Sequence, residues 1–313
     1  MSKRRSRNRR GMPGPLVVAL LLAVAALAGW YLLRPIPHRA PPSVAQAPQP
    51  TAASETPPPT EAPSASPTET ATTAETPSAL PASAAPASPA PAGSGPKLAL
   101  IVDDCGQWLA TERGFIALPI ALTMSVLPHV HGTTEIAQEA NAAGKGVMLH
   151  LPMEPLSGAY PGPGEVKVSM TDAQVTAQVE DDLAQVPLAT GVNNHEGSKA
   201  SADARVMGDV IAVLKTHGGL FFIDSRTNAA SVGESLASAA GIPTAARDVF
   251  LDNKEDVAYS EEQLRAAAAI AKRNGSAIAI GHPRVTTLEA VRALIPEFQS
   301  EGIQFVLAQS LTH

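Results

Sequence analysis

Lys97-Leu98-Ala99-Leu100-Ile101-Val102-Asp103-Asp104-Cys105-Gly106 is an apolar run that ends abruptly on two acids, a cysteine and a glycine. A short, continuous apolar run of this kind reads as a strand buried on both faces, as in parallel sheets. Outward from it the pattern recurs. Apolar runs at residues 98–102, 120–126, 146–151, 188–192, 219–223, 249–251, 276–280 and 303–307 alternate with Ala-rich amphipathic stretches near 108–117, 133–143, 172–185, 202–216, 228–240, 260–273 and 287–299. Such alternation predicts β/α units around a parallel sheet. Thr171 before Asp172, Ser201 before Asp203, and Ser260 before Glu261 and Glu262 are helix-start signals. Eight strands fit a (β/α) barrel, complete or missing a strand, better than an open doubly wound sheet.

Nearly every apolar run finishes on or near a polar or ionisable residue: Asp103 and Asp104, His129, His150, Asn193, Asn194 and His195, Asp224, Asp252, and His282. Strand C-termini of a parallel barrel converge on one face, so these residues are expected to be neighbours in space. Aspartates and imidazoles without a cysteine cluster suggest a divalent-metal site, with one carboxylate on the ion and another acting as base. In a continuing strand Asp103 and Asp104 would point to opposite sides, so a shared role requires the strand to end there. A metal with an open coordination position suits hydrolysis of an amide or ester. The sequence shows no G-x-S-x-G elbow, Walker loop, G-x-G-x-x-G turn or H-E-x-x-H helix.

At these residues the chain resembles the NodB-like polysaccharide deacetylases, and their divergent branch most closely. The resemblance rests on Ile101-Val102-Asp103-Asp104-Cys105-Gly106, His150-Leu-Pro-Met-Glu154-Pro155, Asn193-Asn194-His195-Glu196-Gly197-Ser198, Phe222-Ile223-Asp224-Ser225-Arg226-Thr227 and Ile280-Gly281-His282-Pro283. It implies a complete or distorted (β/α) barrel, with Asp103 as base, Asp104 and His150 as metal ligands, and His282 as acid. The His-x-x-x-His pair of better-known members is broken, because Glu154 stands where the second histidine would be. Glu154 is then an oxygen ligand in its place, or His195 takes over as the nitrogen ligand. Zinc is the metal the resemblance points to first. Asp224, Arg226 and Asn194 are expected to orient or bind substrate, with a salt bridge between loops as the other reading for Asp224 and Arg226. Cys105 stands where a glycine is usual, and Gly106 follows one place late.

The rest of the chain places this domain. Residues 1–40 hold eight of the 23 Lys+Arg and no acid, and residues 16–33 are uncharged. That run has the length of a membrane span, following a basic segment at residues 1–15 that stays cytoplasmic under the positive-inside rule. It reads as an anchor or a signal peptide, and its continuation through Trp30, Tyr31, Leu32 and Leu33 favours the anchor. Residues 34–96, rich in Pro, Ala, Ser and Thr, bury too little to order themselves and read as a disordered linker. The folded domain, residues 97–313, is therefore expected outside the cytoplasm, periplasmic or at the cell surface. It carries 15 basic and 25 acidic side chains, a net charge of −10, which argues against nucleic acid as a partner and favours neutral or weakly charged glycans.

The expectation that follows is a metal-dependent deacetylase of an envelope polysaccharide or peptidoglycan. The alternative is an inactive domain of the same fold that binds glycan or an envelope partner. Among the remaining ionisable residues, Asp181 and Asp182 read as a solvated helix face, His217 as a helix-end cap, and His129 and His131 as a solvated loop or a groove wall. Cys105, the single cysteine, reads as a packed residue, not a nucleophile.

Overall fold

The computed structural model describes residues 95–313, so the basic segment, the apolar run at 16–33 and most of the linker lie outside it. Among the described residues no helix is long and apolar enough to cross a membrane. The chain alternates as the pattern predicts: β1 (Lys97–Cys105), α1 (Leu109–Ile116), β2 (Thr123–Val126), α2 (Thr133–Ala142), β3 (Gly146–Met153), α3 (Asp172–Gln185), β4 (Gly191–Glu196), α4 (Ala204–His217), β5 (Phe221–Asp224), α5 (Gly233–Ala239), β6 (Thr244–Ala246), β7 (Val249–Phe250), α6 (Val257–Asn274), β8 (Ser276–Gly281), α7 (Val285–Ser300) and β9 (Gln304–Val306). β6 is an addition to the strands read from sequence. Its three residues are too few to show a periodicity.

All strand pairs are parallel, in the order β6-β5-β4-β3-β2-β1-β8-β7. No pairing joins β6 to β7 among the described residues, so the sheet is a curled half-barrel rather than a complete barrel. β9 occupies the lower part of one edge of β1, pairing with Lys97 to Ala99, and β2 takes the upper part from Ile101 onward.

Two apolar layers follow from the period of two along each strand. Leu98, Leu100 and Val102 join the core between sheet and helices, while Ala99 and Ile101 join Met148, Phe221, Ile223, Ile278 and Ile280 in a smaller core inside the curl. That inner plug is apolar, which leaves the strand C-termini as the place where polar side chains gather.

The helix starts divide. Thr171 caps α3 with a full capping box, its side chain accepting from Gln174 N while Thr171 N donates to Gln174 Oε1. The expected caps at Ser201 and Ser260 are corrected. Asp203 caps α4 by accepting from Arg205 N and Val206 N, and Asp256 caps α6 by accepting from Tyr259 N. A carboxylate offers two acceptor oxygens where a serine offers one hydroxyl, and each aspartate precedes its helix directly.

Candidate metal and catalytic site

On β1 the alternation continues inward to Asp103, and a bulge then resets it. Val102 pairs with Met124 but Cys105 pairs with Val126, so β1 spends three steps where β2 spends two. Asp104 is the inserted residue, in left-handed backbone at φ 58°. The insertion turns its side chain to the same cavity as Asp103. Cys105 returns to the outer core, where burial pushes its thiol pKa up and leaves it inert. Gly106, at φ 108°, makes the exit, and a Cβ there would lie 2.7 Å from Val130 Cγ2. Glu112 holds that exit from below: its Oε1 accepts from the backbone N–H groups of Gly106, Gln107 and Trp108 at 3.0, 3.1 and 2.7 Å.

Among the described residues the other non-glycine positions in left-handed backbone are His129, Glu196 and Arg226, all at or just past strand C-termini. Such positions cost about 1–3 kcal/mol each and persist where surrounding structure fixes them, commonly at functional sites.

Asp104 Oδ1, His150 Nε2 and His195 Nδ1 form a triangle with sides of 3.2, 2.9 and 3.1 Å. Ligand distances of about 2.0–2.2 Å around a tetrahedral ion would set such sides at about 3.3–3.6 Å, so the triangle matches a metal face to within a few tenths of an ångström. Asp104 Oδ1 is buried and accepts no hydrogen bond, although two ring nitrogens stand beside it. Burial raises the Asp104 pKa, but the His150 and His195 imidazoles outweigh it and hold the carboxyl far below its usual range. Three electron-pair donors this close repel one another unless positive charge lies among them. The set therefore fits a divalent cation.

Asn193, on β4 beside His150, orders this cluster. Its Nδ2 donates to Asp103 Oδ1 at 2.9 Å and to Ser225 Oγ at 3.1 Å, which leaves Oδ1 to accept from His150 Nδ1 at 2.8 Å. The His150 proton is thereby on Nδ1, and the Nε2 lone pair faces Asp104 and His195. Asp252 does the same for His282. Its Oδ1 accepts from His282 Nδ1 at 2.9 Å, and its Oδ2 accepts from His282 N and Thr287 Oγ1. His282 Nε2 then faces the cavity, 3.7 Å from Asp104 Oδ2. Burial lowers the His282 pKa, yet Asp252, Asp104 and Asp103 together raise it, whereas burial raises that of Asp103 despite His150, His282 and Asn193.

The cavity holds about 570 Å³ and is lined by Asp103, Asp104, His150, His195 and His282 among others. A second groove of about 350 Å³ adjoins it at Asp104 and His282 and carries Trp108 and Val285, both half or more exposed.

Four expected participants are tied into the protein's own contacts. Glu154 is outside the triangle, a correction to its reading as a ligand. Its Oε1 pairs with Lys199 Nζ at 2.6 Å and its Oε2 accepts from Val168 N, so its charge serves the loop after β3. Asp224 is buried and bonded to Arg226 N, Ser231 Oγ and Glu234 N, which braces the start of α5. Arg226 lines the cavity but pairs with Glu234. Asn194 also lines it, and its side chain joins Ser225 N, Glu196 O and Thr227 Oγ1. Asn193 and Asp252 were legible only as strand-end polar residues, and their orienting roles needed the register.

His129 is in neither cavity. Its Nε2 lies 3.1 Å from Asp181 Oδ2 and 3.0 Å from Asp182 Oδ1. The reading of Asp182 as solvated is corrected, since it is fully buried, with Gly164 packed against its carboxylate. Burial pushes the Asp182 pKa up to about 8. The folded protein thus holds a proton that the unfolded chain releases above about pH 4, and stability should fall as pH rises from about 4 to about 8. Melting temperatures measured at pH 5.5 and 8.5 should show this fall, and Asp182→Asn should flatten it. An equal slope in the variant would assign the effect elsewhere.

A family model described as divergent polysaccharide deacetylase matches residues 100–312. The chain belongs to that family. Two relatives share most of the domain: an uncharacterized protein of Haemophilus influenzae, 36% identical over 210 residues, which covers 67% of this chain and 74% of the relative, and the uncharacterized protein YibQ of Escherichia coli, 34% identical over 215 residues, 69% of this chain and 67% of the relative. An uncharacterized protein of Agrobacterium tumefaciens has a crystal structure that superposes with a TM-score of 0.66 at 24% identity, over 71% of this chain and 92% of that one. At that identity the likeness is one of fold. The matched span runs from β1 to the residues after β9 and so contains the whole triangle.

Proposed function

We propose that this chain is a metal-dependent deacetylase that removes acetyl groups, N-acetyl above all, from a cell-envelope polysaccharide. One observation carries the reading: the triangle of Asp104, His150 and His195 shares a cavity with a carboxylate, Asp103, and an oriented imidazole, His282. Two nitrogens and one oxygen with an open fourth position make zinc the first choice of ion. An ion held there would supply Lewis acidity, polarising a carbonyl and making water more acidic.

The protein's own groups do the rest. Asn193 fixes Asp103 where it can take a proton from water as the water oxygen bonds to the acetyl carbon. Asp252 fixes His282 to give its proton to the amine nitrogen as the carbon–nitrogen bond breaks, leaving acetate and a free amine. The groove at Trp108 supports a polymeric substrate, because it continues the cavity past Asp104 and His282. For location, the basic residues before the apolar run at 16–33 support an anchored domain outside the cytoplasm, tethered by residues 34–96.

The test is metal analysis of the purified protein together with acetate release from N-acetylated oligosaccharides. His282→Ala should slow amide hydrolysis about 100-fold or more, but should affect an activated aryl acetate much less, since a phenolate leaves without a proton. Equal losses on both substrates would remove the acid role. A second reading, glycan binding without turnover, is favoured by the missing second histidine at Glu154. A well-folded protein that takes up metal, binds oligosaccharide and releases no acetate would establish it.

A further inference from the structure

The cavity contains positive charge that deacetylation does not use. Arg247 enters from the short link between β6 and β7, and Arg284 from the link between β8 and α7, and both line the cavity with Asp103 and Asp104. Main-chain oxygens hold each one. Arg247 Nε donates to Ser225 O at 2.7 Å and its Nη2 to Arg226 O at 3.1 Å, while Arg284 Nη1 donates to Asp252 O at 2.6 Å. Phe250 lies under the Arg247 guanidinium at 5.0 Å.

Neither arginine has a carboxylate within 4.0 Å among the described residues, unlike Arg226, whose charge Glu234 offsets. Three of the four carboxylates of the lining are engaged elsewhere, Asp103 with Asn193, Asp104 with two imidazoles and Asp252 with His282, and the fourth, Glu196, is exposed. Arg247 Nη1 and Arg284 Nε and Nη2 make no hydrogen bond among the described residues. A guanidinium fixed by carbonyls, short of counter-charge and still carrying unused N–H groups is a receptor for a planar anion. With a divalent cation at the triangle, the ion, Arg247 and Arg284 balance the charges of Asp103, Asp104, Glu196 and Asp252 in the lining. The domain surface is acidic, yet the lining would then carry no net negative charge against an anion at the two guanidiniums.

We propose that the substrate glycan carries a carboxylate close to the acetylated nitrogen, and that Arg247 and Arg284 receive it. This rests on the reading of the cavity as a glycan site. It also replaces the preference for neutral glycans drawn from net charge, because net charge describes the whole surface and recognition is set by the lining. A carboxylate can reach the site on a uronate in the chain or on an acidic ether of the hexosamine itself, and the two sources separate in the test.

Three oligosaccharides of equal length are compared by calorimetric titration of the zinc-incubated full chain: neutral N-acetylglucosamine oligomers, an alternating N-acetylhexosamine–uronate oligomer, and one whose N-acetylhexosamines carry a lactyl ether. One of the two acids should bind at least tenfold more tightly than the neutral oligomer. That ratio should fall to near one in Arg284→Gln and in Arg247→Gln, and Arg247→Lys should keep only part of it. If Arg247→Gln does not fold, Arg284→Gln decides. A parent that binds the neutral oligomer as tightly as both acids overturns the proposal, and so does an Arg284→Gln that weakens all three equally. Acetate release, measured in parallel, reports separately on deacetylation: carboxylate preference without turnover leaves this inference standing and sinks the catalytic reading.

Discussion

Asp104→Asn protein is expected to purify folded and without stoichiometric metal, whereas the parent incubated with zinc retains about one ion per chain. Asparagine is the informative replacement because Asp104 sits at φ 58°, a conformation that Asn tolerates and Ala does not. The substitution removes the one anionic donor of the triangle and keeps its shape. Removing a residue that merely orients a ligand costs about 10–100-fold in metal affinity, so losing the charged ligand itself should cost more than that. Asn193→Ala supplies the comparison: His150 loses its Nδ1 acceptor but no donor leaves the triangle, and the loss should stay within about 10–100-fold. Glu154→Ala should leave metal content unchanged, because its carboxylate is held by Lys199 and Val168. Elemental analysis and zinc titration measure all three. Full metal retention in folded Asp104→Asn would move the ion elsewhere, and metal loss in Glu154→Ala would restore that residue as a ligand.

The contrast between Asp104 and Glu154 shows where the sequence is readable and where it is not. The apolar runs and their polar ends gave seven helices and eight of the nine strands, and they put Asp103, His150, His195 and His282 on one face, because period and strand direction are local properties. Asp104 needed a bulge, and a bulge is a mismatch between two strands that cannot be seen in either alone. The choice between Glu154 and His195 needed the strand register for a related reason. The spacing of Glu154 from His150 fits a pair on one segment, but in space His195 stands across from Pro152 on the neighbouring strand and completes the triangle. Asn193 and Asp252 carried no distinguishing pattern, since a buried amide or carboxylate earns its role from the single ring it orients. Asp182 looked like half of a surface acidic pair, and only the fold of the loop around Gly164 buries it.

Asp103→Asn should keep its metal and lose about 10²–10⁴-fold in acetate release, the range that a positioned general base supplies. Geometry separates this residue from its neighbour. Asp103 Oδ2 lies 3.6 Å from His150 Nε2 and outside the triangle, while its Oδ1 is held by Asn193 Nδ2 at 2.9 Å. The free oxygen faces the cavity, and an amide there cannot take a proton from water. Steric change is small, since Asp and Asn are nearly isosteric and Asp103 is 4% exposed at the end of the inner face of β1. The cost of the exchange is in the bond to Asn193, where two amides now meet, so thermal melting must accompany the kinetics. Three measurements on one variant therefore decide the role: stoichiometric metal, a melting temperature within a few degrees of the parent, and turnover reduced at unchanged KM. Loss of metal would make Asp103 a ligand rather than the base. Turnover within tenfold of the parent, with metal present, would leave the proton of the attacking water to another group, and Glu196 at the cavity edge would be the next carboxylate to replace.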